Sequence, residues 1–344
     1  MQRSKIFFII IFLGVLFTLA GYWFKHDDTG KEHFEEYTGQ KETVRLAVAK
    51  AFITAPVLIA LENNYFSDVG LQVEITGEFS SGKGSFDHML AGKADMSTPA
   101  TIPVVLNSFQ RRDYSIFLTY LTTYEGIKVV ARKDKQILSA ADLKGKTIGM
   151  VPGTISEILI DLLLAYHKIL SSEVTMKAYK GHELPGALKL NEVDAISVWE
   201  PHAYHALNLL PEMSIRISTS QVYRIAVNMA VMNDFANRHP EVLIKVIRAL
   251  DKAIKYMNTE TDQSQAILAR KLDMDRDLVN QFWQEIDYKL SLDQLLVLTM
   301  ENEARWVSKQ SEPAKELPNY LDYIIYQPLE TFDPEAVTLI RKIK

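Results

Sequence analysis

The sequence contains no cysteine among its 344 residues. This absence excludes disulfide bonds, cysteine-ligated zinc, thiol catalysis and a lipid-modified N-terminal cysteine. An excess of positive charge is lacking too, because 43 Asp and Glu outnumber 38 Lys and Arg and give a net charge of -5. The basic residues are interspersed with acidic ones, so we expect no nucleic-acid partner.

Common catalytic motifs are missing as well. The sequence has no Gly-x-Ser-x-Gly elbow and no His-Glu-x-x-His helix, the patterns that carry the nucleophile or the zinc ligands of many hydrolases. Glu200-Pro201-His202-x-x-His205 brings a carboxylate and two imidazoles together, but ordinary histidines of a surface helix are the simpler interpretation. We therefore predict a protein that is not an enzyme and that holds no cofactor and no metal.

An uncharged apolar run occupies the N-terminus. Residues 1–5 are basic and residues 6–20 carry no charge, which is the layout of a secretory signal. The apolar run continues to Phe24 and is nearly long enough to span a bilayer. Residues 1–24 are thus interpreted as either a signal peptide or a retained membrane anchor, and residues 25–42 as a polar tether. Both alternatives place the rest of the chain in the periplasm or on the outer face of the cytoplasmic membrane.

The remaining chain alternates short apolar strands with amphipathic helices. Residues 147–151 are a predicted strand, Pro152-Gly153 a turn, and Thr154-x-x-Glu157 has the spacing of a capping box that starts a helix. The positions of this helix predicted to pack on a sheet are Ile158, Leu159, Leu162, Leu163 and Tyr166. Free N–H groups at its start would suit an anionic or strongly polar group of a ligand.

Similar units of strand, polar turn and helix begin at Val44, Gly70 and Ala94. Such units build mostly parallel sheets whose turns share one edge, and ligands of such folds bind at that edge. The fold class is therefore predicted to be α/β. From Asn237 onward the chain is predicted to be helical, and residues 312–334, which include four prolines, are predicted to wrap over the surface.

Trp199 and Glu200 come at the end of another predicted buried strand, where these turns converge. An aromatic ring beside a carboxylate can stack on a flat or cationic group and accept its N–H bonds. We predict that both residues contact a ligand.

Several of these segments, in this order and spacing, resemble the periplasmic substrate-binding proteins of ABC importers, in the branch that binds sulfonates, taurine, nitrate and thiamine precursors. The segments are residues 64–74 (NYFSDVGLQVE), 90–95 (LAGKAD), 130–134 (VARKD), 141–146 (ADLKGK), 151–154 (VPGT), 191–195 (NEVDA) and 199–201 (WEP). The resemblance covers about residues 43 to 310. It implies a type II periplasmic-binding-protein fold, in which two α/β lobes clamp the ligand and two crossing strands form the hinge.

The resemblance also implies where the lobes and the ligand site lie. Lobe 1 would comprise residues 43–127 and 225–344, and lobe 2 residues 128–224, with crossings near residues 127–131 and 223–229. The implied ligand-binding residues are Phe52, Thr54, Ala55, Ser80, Ser81, Gly82, Thr98, Ala100, Gly153, Thr154, Trp199 and Glu200.

The implied function is capture of a small polar organic solute for delivery to an ABC permease and its ATPase. The resemblance implies a monomer. This monomer would contact the membrane through its N-terminal segment if that segment is retained. Glu200 disfavours a purely anionic solute such as nitrate, because a buried unpaired carboxylate would repel it. A sulfonate of the taurine type and a thiamine-precursor pyrimidine are both compatible. A membrane-anchored ligand sensor and an enzyme on the same scaffold remain alternatives.

Overall fold

Two five-stranded sheets organise residues 38–219, 222–309 and 316–341, the parts of the chain that the computed structural model describes. The predicted signal or anchor, residues 1–24, lies outside these ranges, as does most of the tether. Within the described ranges, no helix combines the length and the apolar composition needed to cross a membrane.

The first sheet has the strand order β2-β1-β3-β10-β4. Its strands are β1 Glu42–Ala49, β2 Leu71–Phe79, β3 Met96–Ser97, β4 Tyr114–Thr123 and β10 Ile225–Met232. β10 is antiparallel to both of its neighbours, whereas β1 is parallel to β2 and β3.

The second sheet repeats this arrangement in the order β7-β6-β8-β5-β9. Its strands are β5 Ile127–Arg132, β6 Thr147–Met150, β7 Thr175–Ala178, β8 Ala195–Trp199 and β9 Ser214–Ile217. Here β5 is the antiparallel strand. A further pair, β11 Leu292–Asp293 and β12 Val337–Thr338, is parallel.

Helices cover the sheets and follow most of the strands. They are α1 Ala55–Glu62, α2 Tyr65–Asp68, α3 Gly82–Leu90, α4 Thr101–Ser108, α5 Ile155–Tyr166, α6 Leu184–Lys189, α7 His202–Leu209, α8 Asn233–Arg238, α9 Pro240–Thr259, α10 Thr261–Leu272, α11 Arg276–Trp283, α12 Gln294–Lys309 and α13 Gln327–Phe332. The long helix α9 packs on α1, α2 and α13, and α12 packs on α4. The predicted α/β class, with two mostly parallel sheets flanked by helices, is confirmed.

The chain passes between the sheets twice. It leaves β4 at Thr123 and enters β5 at Ile127, and it leaves β9 at Ile217 and enters β10 at Ile225. Each crossing thus leads into the antiparallel strand of the sheet it joins. As a result, the amino ends of β5 and β10 lie beside the carboxyl ends of the parallel strands, at the same edge of each sheet.

The sequence pattern predicted the buried faces correctly, with two exceptions. Tyr166 was predicted to face the sheet, but 74% of it is exposed, because the buried side of α5 is centred on Leu159, Ile160, Leu163 and Leu164. The prediction of a surface wrap for residues 312–334 was wrong for its later part. Tyr320, Tyr323 and Leu329 are fully buried there, since the prolines break the helical pattern without keeping the chain out of the core.

Tyr323 offers a test of this buried segment. Its hydroxyl lies 2.8 Å from the carbonyl oxygen of Ser108 and 2.9 Å from that of Arg111, and its one proton is donated to this pair of acceptors. Tyr323→Phe leaves these acceptors without their donor, so we expect the free energy of unfolding to fall by about 1 to 2 kcal/mol. Urea denaturation followed by circular dichroism measures the change. Tyr166→Phe, at an exposed ring, is the control, and an equal loss in both variants would contradict the assignment.

Candidate functional site

A cleft between the two sheets contains two adjoining cavities. Both are lined at the edges where the strands end and the helices begin, and they share Ala51, Ile53, Gly126 and Trp199. We name the larger one, about 500 Å³ including open solvent, the helix-end cavity, and the smaller one, about 340 Å³ including open solvent, the carboxylate cavity.

The helix-end cavity is lined by the first residues of α3, α4 and α5 and by the amino ends of the two antiparallel strands. Besides the four shared residues, its lining comprises Ser81, Gly82, Lys83, Ala100, Ile102, Pro103, Ile127, Thr154, Ile155 and Ile225. Most of these side chains are apolar, so polar recognition in this cavity depends on backbone groups at the helix ends.

The three helix starts differ in how they are capped. Ser81 accepts a hydrogen bond from the Gly84 N–H at 3.2 Å, and Thr154 accepts one from the Ser156 N–H at 3.2 Å. Ala100, which precedes α4, has no side chain that can cap. The start of α4 therefore has no side-chain cap, and since Pro103 in its first turn has no N–H, it presents mainly the positive end of the helix dipole beside the cavity, a suitable environment for an anionic group.

The capping box predicted at Thr154-x-x-Glu157 is shifted by one residue at each partner. Glu157 accepts its hydrogen bond from the Gly153 N–H at 2.7 Å, and Thr154 caps Ser156. The predicted helix start is nevertheless correct, because α5 begins at Ile155.

The turn before α5 touches the opposite wall of the cleft. A Cβ atom at Gly153 would lie 3.1 Å from Lys83 Cε on α3 and 3.5 Å from Leu106 Cδ1 on α4. A second link joins α12 to α5, where Trp306 Nε1 donates to Asp161 Oδ2 at 2.9 Å. The two sheets are thus held in a closed arrangement around the cleft.

The carboxylate cavity combines aromatic rings with three acidic side chains. Its lining beyond the shared residues comprises Phe52, Glu125, Glu200, Phe282, Glu285 and Ile286. The rings of Phe52 and Phe282 meet edge to face with centroids 6.0 Å apart. A ligand group in this cavity would meet aromatic surface and negative charge together.

Two cations bind two of these carboxylates. Lys128 Nζ lies 2.9 Å from Glu125 Oε2 and 2.7 Å from Glu285 Oε2, and Arg216 contacts the same pair at 2.5 and 3.3 Å. Lys128 is almost fully buried, so the pairing is required for its charge to be tolerated. These four ion pairs form a charge network that connects the first crossing with the second sheet and with the segment after α11.

Glu200 has a different environment. Its Oε2 accepts the Tyr204 N–H at 2.9 Å and so caps α7. Burial, with a smaller contribution from the charge of Glu285, raises the pKa of Glu200 to about 7 against the lowering effects of the Tyr204 hydrogen bond and of the charges of Lys128 and Arg216. The carboxyl group is therefore held near the balance between its two protonation states at neutral pH.

Seven of the twelve sequence-predicted site residues line the two cavities: Phe52, Ser81, Gly82, Ala100, Thr154, Trp199 and Glu200. The other five lie outside the lining: Thr54, Ala55, Ser80, Thr98 and Gly153. Thr54 and Thr98 are fully buried, and their hydroxyls bond to the backbone of residues 49–51. Ser80 is exposed, and Gly153 contributes the contact across the cleft.

Sequence reasoning missed several lining residues. Lys83, Ile102, Pro103 and Ile155 each follow a predicted turn by one to three residues, so extending each turn into its helix would have found them. Glu125, Phe282 and Glu285 had no comparable signal, because nothing local indicates that a segment after α11 reaches the first crossing. In the described parts of the chain, no group of three or more His, Asp or Glu residues is arranged to hold a metal ion.

Glu303 lies behind the start of α4 and is fully buried. Its Oε1 accepts hydrogen bonds from Thr101 Oγ1 at 2.5 Å and from the Tyr223 hydroxyl, while Oε2 has no partner in the ranges that the structure describes. Burial raises the pKa of Glu303 to about 8. A carboxyl group that is mostly protonated at neutral pH does not offset the positive end of α4.

Fold and cleft together define a two-lobed binding protein of the periplasmic-binding-protein fold. Residues 52–264, more than half of the chain, match the NMT1/THI5-like family. The chain therefore belongs to this family.

Comparisons with individual proteins agree with this fold and this family. The chain is 23% identical to a Bacillus subtilis (strain 168) protein named for binding aliphatic sulfonates, over 79% of this chain and 80% of that protein. The alkanesulfonate-binding protein SsuA of Xanthomonas axonopodis pv. citri, solved bound to MOPS, superposes with a TM-score of 0.70 at 16% identity and covers 84% of this chain and 99% of its own. The periplasmic aliphatic sulphonate binding protein SsuA of Escherichia coli gives 0.70 at 14% identity, over 85% and 100%.

These similarities confirm the fold that the sequence resemblance implied. The relatives are named as binding proteins and not as enzymes, in agreement with the prediction that this chain is not an enzyme.

The contact at Gly153 can be tested with a matched pair of glycines. Gly153 and Gly145 have φ values of +67° and +77°, but a Cβ at Gly145 would meet nothing within 4 Å. We expect Gly153→Leu and Gly145→Leu to lose about 1 to 2 kcal/mol of unfolding free energy through the same backbone strain. Only Gly153→Leu should also increase the radius of gyration in small-angle X-ray scattering, by forcing the cleft open. Equal radii in the two variants would contradict this role.

The raised pKa of Glu303 predicts that the free energy of unfolding depends on pH. Between its ordinary pKa of 4.5 and its folded pKa of about 8, the folded chain keeps a proton that the unfolded chain has lost. Its stabilising contribution is therefore complete below about pH 4.5 and is lost as the pH rises through about 8, with a slope of up to about 1.4 kcal/mol per pH unit. We expect Glu303→Gln to flatten the fall of the melting temperature between pH 5 and 8.

Glu301→Gln, on the same helix but at a partly exposed side chain, serves as the control and should keep the wild-type slope. An unchanged slope in Glu303→Gln would show that the carboxyl group is ionised in the folded protein.

Proposed function

We propose that this protein captures a small polar organic solute between two lobes and delivers it to an ABC importer. The single observation that carries the proposal is the closed cleft, whose walls come from both sheets and whose lining combines helix starts, aromatic rings and carboxylates. Lobe 1 would comprise residues 43–127 and 225–344, and lobe 2 residues 128–224. The twelve residues predicted from the sequence remain the proposed ligand-binding set, with the seven that line the cavities as its core.

The proposed solute is a sulfonate of the taurine type or a thiamine-precursor pyrimidine. An anionic group fits the uncapped start of α4, and an apolar chain or ring fits the walls formed by Ile53, Ile102 and Ile225. The names of the relatives, which refer to aliphatic sulfonates, support the first of these classes. The carboxylates near Trp199 weigh against a solute with negative charge only.

Hinge closure is the proposed mechanism. The solute would contact the starts of α3 and α4 on one side and of α5 on the other, so binding to both sides favours the closed arrangement over an open one. The crossings would absorb the rotation at residues 124–126 and at the described residues 218–219 and 222–224. An affinity in the micromolar range corresponds to about 8 kcal/mol, within reach of one stacked ring and several buried hydrogen bonds.

The proposed location is the periplasm or the outer face of the cytoplasmic membrane, reached through residues 1–24 as a signal or an anchor. The proposed partners are the permease and the ATPase of the importer, with the binding protein acting as a monomer. The names of the relatives, one of them periplasmic, support this placement.

A thermal-shift panel tests the function. Taurine, alkylsulfonates, aminopyrimidines and nitrate are each added in large excess to the full chain in mild detergent. A solute at a hundred times its dissociation constant adds about 2.7 kcal/mol of stability, which raises the melting temperature by a few degrees. We expect the sulfonates or the aminopyrimidines to give this shift and nitrate to give none.

Filling the helix-end cavity should abolish the rise in melting temperature that the solute causes. Ala100 lines that cavity, whereas Ala165 is exposed on α5 and does not. We expect Ala100→Leu to lose the response and Ala165→Leu to keep it. A shift that survives Ala100→Leu would place the solute elsewhere, and a folded protein that responds to none of the solutes would contradict the proposed classes.

A further inference from the structure

The carboxylate cavity carries one negative charge more than its own cations balance. Lys128 and Arg216 provide two positive charges, and both are shared between Glu125 and Glu285. Glu200 is the third carboxylate of the lining, and in the part of the chain that the structure describes no Lys or Arg lies within ion-pair distance of it. The network is neutral without Glu200 and has a net charge of -1 when Glu200 is ionised.

The imidazoles near Glu200 do not supply the missing charge. His202 and His205 lie on α7, whose first turn Glu200 caps. Burial, with smaller contributions from the proximity of His205 and His182, lowers the pKa of His202 to about 4. His202 is therefore neutral at pH 7 and leaves the charge of Glu200 unbalanced.

Trp199 lines the same cavity as this unbalanced charge. Its ring lines both cavities, and its position is defined from behind by Gly181, where a Cβ atom would lie 3.0 Å from Trp199 Cζ2. The ring of His202 meets the Trp199 ring edge to face, with centroids 6.3 Å apart. Cations are attracted to the face of an indole ring, more strongly where water is excluded.

We propose that the captured solute carries a protonated amine that enters the carboxylate cavity, forms an ion pair with Glu200 and lies against the face of Trp199. This inference rests on the proposed function and narrows its substrate class. The solute would be a short zwitterion, with its anionic group at the start of α4 and its ammonium group at Glu200. The residues shared by the two cavities, Ala51, Ile53 and Gly126, would contact the apolar atoms that join the two ends.

A protonated amine completes the electrostatics of the cavity. It supplies one positive charge, which makes the set of three carboxylates and two protein cations neutral. One oxygen of Glu200 bonds to the Tyr204 N–H, so the other is left to accept from the solute. Simple anions lack the positive end and would add a second unbalanced charge to the cleft.

Isothermal titration calorimetry with two matched probes tests the inference. Taurine has both charged ends, and ethanesulfonate has the same anionic end without the amine. We expect the full-length protein, in mild detergent, to bind taurine about tenfold or more tightly than ethanesulfonate. In Glu200→Gln the ratio of the two affinities should fall to about one.

The amide of Glu200→Gln can still accept the Tyr204 N–H, so the cap of α7 is retained, and a melting curve checks that the variant folds. Glu74→Gln, at an exposed side chain on β2, neutralises a carboxylate far from the cleft and should keep the wild-type ratio.

Proton release gives a second readout that needs no variant. At pH 7 about half of the Glu200 carboxyls carry a proton, because the pKa is about 7. An ion pair with the ammonium group lowers this pKa, so binding of taurine should release about half a proton. Ethanesulfonate should not release it. The apparent binding enthalpies in phosphate and in Tris at pH 7 give this number, since the two buffers differ in their ionisation enthalpies.

The outcomes separate the inference from the function on which it rests. Equal binding of the two probes, or a taurine preference that survives Glu200→Gln, would overturn the amine site and leave the capture of a sulfonate in place. Binding of neither probe would overturn the sulfonate function and the inference together.

Discussion

The antiparallel strands β5 and β10 are the constraint on which the cleft depends. Each arrives from the other sheet and inserts between two strands that run the opposite way. Its amino end therefore lies beside the carboxyl ends of its neighbours, and Ile127 and Ile225 reach the same cavity as the starts of α3, α4 and α5. Because both sheets are built this way, the edges that line the cavities face each other, and two crossings connect the sheets.

The two ends of this cleft differ in their charge. At one end α4 starts without a side-chain cap, and Glu303 behind it is kept mostly protonated by burial, so the positive helix end is not offset. At the other end Glu125 and Glu285 share two cations, and the third carboxylate, Glu200, has no Lys or Arg within ion-pair distance in the described part of the chain. Trp199 lies between the two ends and lines both cavities. A cleft built in this way favours a solute whose own charges are separated, and it explains why so few polar side chains suffice in the helix-end cavity.

Local patterns were most informative where one element decides the outcome. The start of α5 at Thr154, the apolar face of α9 and the turns after β1, β2 and β3 were all predictable, because capping and periodicity depend on residues close in sequence. The orientation of the side chains in the turns was not predictable from the sequence. The hydroxyls of Thr54 and Thr98 bond to the backbone of residues 49–51, since a buried hydroxyl next to a strand end finds a carbonyl or an N–H more readily than a ligand.

The sequence by itself determined the order of strands and helices, the edge at which the cavities lie, the presence of Trp199 and Glu200 in their lining, and the family, because each depends on short segments in a recognisable order. Only the tertiary structure decided which turn residues reach the cavities, and that Glu285, more than 150 residues after Lys128 in the chain, shares the charge network at the first crossing. It also decided that Tyr320 and Tyr323 enter the core. These features arise from packing between segments distant in the chain, which no local periodicity encodes.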